Sequence, residues 1–115
     1  MRLVLKESFE ATHSLVLGGS AEPPHGHEWR VRTELDLPRE QTPGQARLAL
    51  HGVLQPFRGR YLNELACFAQ SLATPSVSAE AVARIIFDEL DSALAARARC
   101  IRSVAVEEEP GCWAR

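Results

Sequence analysis

The stretch His25-Gly26-His27-Glu28-Trp29-Arg30-Val31-Arg32-Thr33-Glu34-Leu35-Asp36-Leu37 alternates between two kinds of residue. Its odd positions hold His25, His27, Trp29, Val31, Thr33, Leu35 and Leu37, and its even ones include Glu28, Arg30, Arg32, Glu34 and Asp36. Successive side chains of a strand point to opposite faces, so the pattern predicts one buried face and one wet face. Two histidines open the buried row. Upstream, residues 3–13 keep the same period, with Leu3, Leu5, Glu7, Phe9, Ala11 and His13 on one face. His13 therefore closes an apolar row just as His25 and His27 begin one.

Downstream the period changes. Residues 46–57 place Leu48, Leu50, Val53, Leu54 and Phe57 at helical spacing, after a loop that contains Pro43 and Gly44. Ser78 caps a second helix over residues 78–98, with Glu80 in its first turn and Val82, Ile85, Ile86, Ala93 and Leu94 recurring at helical intervals. Residues 100–109 read as a strand through Val104 and Val106, and residues 111–115 as a short last one. Residues 18–24 and 38–44, rich in Gly, Pro and polar residues, read as loops. The order strand, strand, helix, helix, strand, strand predicts an α+β fold: a four-stranded antiparallel sheet with two helices on one face. The second strand is long against a usual length of roughly 5–6 residues, and would offer an edge for pairing with another subunit.

Composition narrows the function. The 115 residues, 45% of them apolar, suit one core and hence one domain over residues 1–115. Fifteen acidic against thirteen basic side chains give a formal charge of -2, without the basic excess that nucleic-acid binding requires. No apolar run approaches the roughly 20 residues that cross a bilayer. Arg2, Lys6, Glu7 and Glu10 stand where a signal peptide has an apolar stretch, so the chain reads as cytoplasmic. Cys67, Cys100 and Cys112 are odd in number and lack Cys-x-x-Cys spacing, which predicts reduced, mostly buried thiols.

The histidines carry the chemistry. Residues i and i+2 of a strand point the same way with Cα atoms about 6.5–7 Å apart, so His25 and His27 can direct two imidazole nitrogens at a single ion. Gly26 between them leaves the other side uncrowded. Tetrahedral zinc needs another ligand from elsewhere, and His13 on a neighbouring strand supplies it. Three protein ligands leave the fourth position open, as in catalytic sites. Imidazole also suits iron, copper and nickel. His51 has no partner at ligand spacing and reads as a polar helix residue.

Ser8-Phe9-Glu10-Ala11-Thr12-His13, His25-Gly26-His27, Leu62-Asn63 and Val77-Ser78-Ala79-Glu80 together resemble the motifs of the 6-pyruvoyltetrahydropterin synthase family, which includes the 6-carboxytetrahydropterin synthases of queuosine biosynthesis. The resemblance extends to residues 104–109 and Gly111-Cys112. It implies zinc held by His13, His25 and His27. It also implies a tunnelling fold (T-fold) whose subunit sheets join edge to edge into a homo-oligomeric barrel, trimer-based and usually hexameric. A glutamate of the third strand anchors the 2-amino-4-oxo edge of a pterin in that family, and the matching position is Glu108. A carboxylate suits the task because it accepts two parallel N–H bonds. Which of Glu107, Glu108 and Glu109 faces inward depends on a register the sequence leaves open.

The departures concern proton transfer. The family's cysteine before His-Gly-His falls at Ala21, and its Asp-His relay falls at Arg58-Gly59. The first helix and its loop are also shorter than in the family. One branch of the family carries glutamate in place of the cysteine, and Glu22 lies one residue from that place, as the candidate base. Arg58 and Arg60 are candidates to bind an anionic substrate, or surface charges. The expected function is a zinc-dependent lyase or cyclase with a non-standard acid/base set, acting on a pterin-like or other small oxygenated metabolite. The alternatives are an ordinary 6-carboxy- or 6-pyruvoyltetrahydropterin synthase, and a non-catalytic zinc-containing ligand-binding protein.

Overall fold

In the computed structural model, residues 1–71, 76–94, 100–109 and 111–115 are described. The two alternating stretches form β1 (Arg2–His13) and β4 (His25–Asp36). They pair antiparallel without interruption from Arg2↔Asp36 to His13↔His25. Paired residues share a face, so Leu5, Phe9 and Ala11 join Trp29, Val31 and Leu35 in one buried layer. Phe9 and Trp29 are direct partners, with rings parallel to within 5° and centroids 6.1 Å apart. The Trp29 indole N–H donates to the Ala11 carbonyl at 3.2 Å, which satisfies its only polar atom inside the core.

Between these strands a hairpin of β2 (Val16–Leu17) and β3 (Ser20–Ala21) occupies part of what reads as a loop. Its turn residues Gly18 (φ 56°) and Gly19 (φ 82°) are both left-handed, the requirement of the tight turn whose twist matches that of the strands it joins. β5 (Ile101–Glu109) returns along the other side of β4, and β6 (Cys112–Ala114) completes the order β1-β4-β5-β6. The long second strand is thus central. The expectation that it offers the sheet's open edge is wrong, because β5 takes its free side through pairs such as Val31↔Val106. The edges belong to β1 and β6.

Among the described residues three α-helices, not two, stand between the strands: α1 (Pro43–Leu54), α2 (Ala66–Ser71) and α3 (Ala79–Leu94). α1 starts earlier than its apolar spacing suggests. Thr42 accepts the Gln45 backbone N–H and the Gln45 side chain accepts that of Thr42, a reciprocal cap that recruits Pro43 and Gly44 into the first turn. A 3₁₀ turn, Gln55–Phe57, then inserts Phe57 between Phe9 and Phe68, with centroids 5.7 Å from each. Phe68 is the buried side chain of α2, a helix too short for its periodicity to show. Ser78 caps α3 as expected, accepting the Ala81 N–H at 3.2 Å, and Val82, Ile86 and Leu90 are fully buried. The expected extension of this helix over residues 95–98 lies outside the described residues. No helix among the described residues is long and apolar enough to cross a membrane.

The opposite sheet face carries the even residues and their ion pairs. Asp36 bridges Arg102 and Arg2 at 2.8 and 2.9 Å, and these hydrogen bonds hold its carboxyl below the usual carboxylate range. Cys67, Cys100 and Cys112 are free thiols. Cys100 is buried and Cys67 half-buried, but Cys112 is exposed, because β6 is an edge strand with one side in solvent. Loss of the α1 cap in Thr42→Ala is expected to lower stability by about 1 kcal/mol, read as a lower urea midpoint. An unchanged midpoint would show that the cap does not hold Pro43 and Gly44 in the helix.

Candidate metal centre

The end of β1 meets the start of β4, so His13 lies directly opposite His25 and Ala11 opposite His27. All three histidines occupy odd positions and therefore project from the core face. Their ring centroids form a near-equilateral triangle with sides of 5.0, 5.1 and 5.1 Å. One ligand nitrogen from each ring lies within 4.8 Å of the others. Trp29 forms the floor, with the His13 ring edge-on to it at 4.8 Å. Gly26 is not required by crowding, since a Cβ there would meet only Thr12 Cγ2 at 3.6 Å, an ordinary contact.

The tautomers follow from the acceptors. His13 Nδ1 lies 2.6 Å from the Val77 carbonyl and His25 Nδ1 3.0 Å from that of Pro23. A carbonyl only accepts, so Nδ1 carries the proton in each neutral ring and Nε2 presents its lone pair. His13 is 1% exposed and its Nε2 is buried without a hydrogen-bond donor. Such an orphaned acceptor costs about 1–3 kcal/mol unless a cation meets it. The three clustered imidazoles fit a metal ion, and the carbonyls behind His13 and His25 are the kind of outer partners that fix ligand geometry.

His13 is also held through its neighbour. The Asn63 amide accepts the Ser14 N–H and donates to the Ser14 carbonyl, both at 3.0 Å. The Val77 N–H donates to that same carbonyl at 3.2 Å, and the Ser14 hydroxyl bonds to the Tyr61 phenol. The backbone just after His13 is therefore gripped from two sides, by Asn63 and by the residue preceding the cap of α3. The Leu62-Asn63 motif was visible in the sequence, but its role was not.

Glu22 is brought to the site by the β2–β3 hairpin. Its N–H donates to the Leu15 carbonyl at 2.9 Å, its Oε1 accepts the Leu15 N–H at 2.8 Å, and the same oxygen lies 3.5 Å from His25 Nε2. Glu108 Oε2 lies 3.1 Å from His13 Nε2. Glu107 points to the opposite face, where it binds Arg30 Nη1 at 3.0 Å and the Gly111 N–H at 2.7 Å. Glu28 is on that face too, paired with Arg30 at 3.0 Å.

Arg58 lies away from the histidines, bonded to the Ser8 carbonyl at 2.8 Å and to Gln55 at 2.6 Å, with Glu7 3.5 Å away. Gly59, where the family's relay would fall, adopts φ 67° and donates its N–H to the Glu10 carbonyl at 2.7 Å. The Arg60 carbonyl accepts the Thr12 N–H at 3.0 Å, so this segment covers the end of the β1 edge. His51 pairs with Glu7 at 2.8 Å, tying α1 to β1. Burial pushes the Cys67 and Cys100 thiols up, so neither is an activated nucleophile.

A four-stranded antiparallel sheet backed by helices, with three histidines converging at the end of its longest strand pair, defines a T-fold protein with a candidate metal centre. The profile of the 6-pyruvoyl tetrahydropterin synthase family matches residues 2–115, and the chain belongs to that family. The structure is similar to that of 6-pyruvoyl tetrahydropterin synthase from Caenorhabditis elegans, with TM-score 0.79 and 19% identity over 98% of this chain and 91% of that one. The Plasmodium vivax 6-pyruvoyltetrahydropterin synthase gives TM-score 0.75 and 16% identity over 99% of this chain and 94% of that one. A Plasmodium vivax variant with alanine in place of glutamate, described as a catalytic residue mutant, gives 0.75 and 15% with the same coverage. At these identities the likeness speaks for the fold. No curated protein sequence matches the chain.

If the Asn63 grip orients His13, Asn63→Ala will weaken divalent-metal binding about 10-fold, the scale of lost outer-shell partners. Competition with a chromophoric zinc chelator reads this directly, and wild-type affinity in the folded variant would reduce Asn63 to a packing residue.

Proposed function

We propose that this protein is a zinc-dependent carbon–oxygen lyase or cyclase with a glutamate in the proton-transfer role, acting on a pterin-like or other small oxygenated metabolite. The observation that carries the reading is the convergence of two carboxylates on the histidine triad, Glu108 beside His13 and Glu22 beside His25. His13, His25 and His27 would hold the zinc, which as a Lewis acid would polarise a substrate hydroxyl or carbonyl. Glu22 then removes a proton from the carbon next to that oxygen, and the resulting electron pair drives elimination or rearrangement of the side chain. Its hydrogen bond from the Leu15 N–H keeps Oε1 aimed into the site. The catalytic glutamate described for the Plasmodium vivax relative supports this choice over a cysteine, since position 21 is alanine.

Glu108 suits the recognition step, because a carboxylate accepts paired N–H bonds from an aminopyrimidinone ring. Residues 1–115 act as a single domain in the cytoplasm, without nucleic-acid or membrane partners. The subunits join through the edges β1 and β6 into a trimer-based barrel, in accord with the sheet order, which gives each of these strands one neighbour among the described residues.

Glu22→Gln is expected to retain zinc and lower kcat about 10²-fold or more, assayed with 7,8-dihydroneopterin triphosphate and related pterins. Undiminished turnover would remove Glu22 from the mechanism. Rapid zinc-dependent conversion of the triphosphate to the usual family product would instead make this an ordinary synthase, and pterin capture with no product a binding protein. Sedimentation velocity should show trimers or multiples of them. A monomer at micromolar concentration would refute the barrel.

A further inference from the structure

His13 Nε2 and Glu108 Oε2 lie 3.1 Å apart, and both are buried with no hydrogen-bond donor. In the neutral His13 ring, with its proton at Nδ1 bonded to the Val77 carbonyl, the pair consists of two acceptors facing each other. Their lone pairs repel unless a positive centre stands between or beside them. The spacing matches one such centre: tetrahedral bonds of about 2.0–2.1 Å set neighbouring ligand atoms about 3.3 Å apart. Glu108 Oε2 is thus as far from a ligating nitrogen as a fellow ligand would be.

We propose that Glu108 closes the zinc site as its fourth ligand in the substrate-free protein, and that substrate gains access by displacing it. The inference rests on the zinc reading above and deepens it, because a carboxylate at the metal cannot at the same time grip a heterocycle. Glu22 is the weaker candidate for the fourth corner. Its Oε1 already accepts the Leu15 N–H at 2.8 Å, whereas Glu108 Oε2 has no donor.

The strand is built to let Glu108 move alone. β5 and β6 pair Glu107 with Trp113 and Glu109 with Cys112, so Glu108 is the unmatched residue of a β-bulge, a device that re-aims side chains beside functional sites. Glu107 anchors the bulge through Arg30 and the Gly111 N–H. A change of side-chain rotamer at Glu108 therefore needs no shift of the ladder.

The test uses the full chain loaded with zinc or cobalt(II), as wild type, Glu108→Gln and Glu22→Gln. Zinc affinity is read by chelator competition and coordination by the visible spectrum of the cobalt protein. Glu108→Gln should bind zinc at least about 10-fold more weakly and shift the cobalt spectrum. Titrating pterin into wild-type cobalt protein should move its spectrum in the same direction. If Glu108→Gln does not fold, Glu108→Ala carries the same comparison. Wild-type affinity and spectrum in the folded Glu108 variant, or a spectral change confined to Glu22→Gln, would overturn the assignment while leaving the zinc reading intact. A wild-type protein that binds neither ion would refute the zinc reading itself, and this inference with it.

Discussion

Every functional feature of the protein depends on the register of one strand pair, β1 against β4. Because side chains alternate with a period of two, a slip of β1 by one residue would move Leu5, Phe9 and Ala11 out of the core and turn His13 away from His25 and His27. Core and histidine cluster therefore stand or fall together. The stacked Phe9–Trp29 pair sets the register from below, and the His13–His25 pair reads it out at the end of the ladder.

The candidate metal centre draws its precision from backbone groups more than from side chains. Carbonyls of Val77 and Pro23 set the ring tautomers, and Ser14 receives bonds from Asn63 and Val77 on a single carbonyl oxygen. These donors come from segments far apart in sequence, the turn after α1 and the entry to α3. Packing of the helices on the sheet thus positions His13, whose ring lies edge-on to the apolar floor at Trp29.

Departures from the family pattern make structural sense where they stand. Gly59 sits in a left-handed conformation that other residues rarely adopt, within a segment whose backbone covers the end of β1. The relay position has become a strand cover. Arg58 is likewise engaged with Ser8 and Gln55. Glu22 sits at the other side of the site, where the hairpin turn through Gly18 and Gly19 delivers it to His25.

The alternation of residues 3–13 and 25–37 was enough to read the two long strands, their buried faces and the three histidines as one cluster, because period-two patterning is a local property that solvent enforces. The cap of α3 at Ser78 was legible for the same reason. Sequence alone did not place β4 at the centre of the sheet, since strand order is set by how β5 returns after the helices. It did not reveal α2, whose six residues carry too few turns for a periodic signal, nor the true start of α1, where a capping box outweighed Pro43 and Gly44. Nor did it choose among Glu107, Glu108 and Glu109. That choice belongs to the bulge between β5 and β6 and to Arg30, which draws Glu107 to the far face and leaves Glu108 beside His13. The chain thus wrote its own ligands locally, while long-range strand pairing decided which carboxylates meet them.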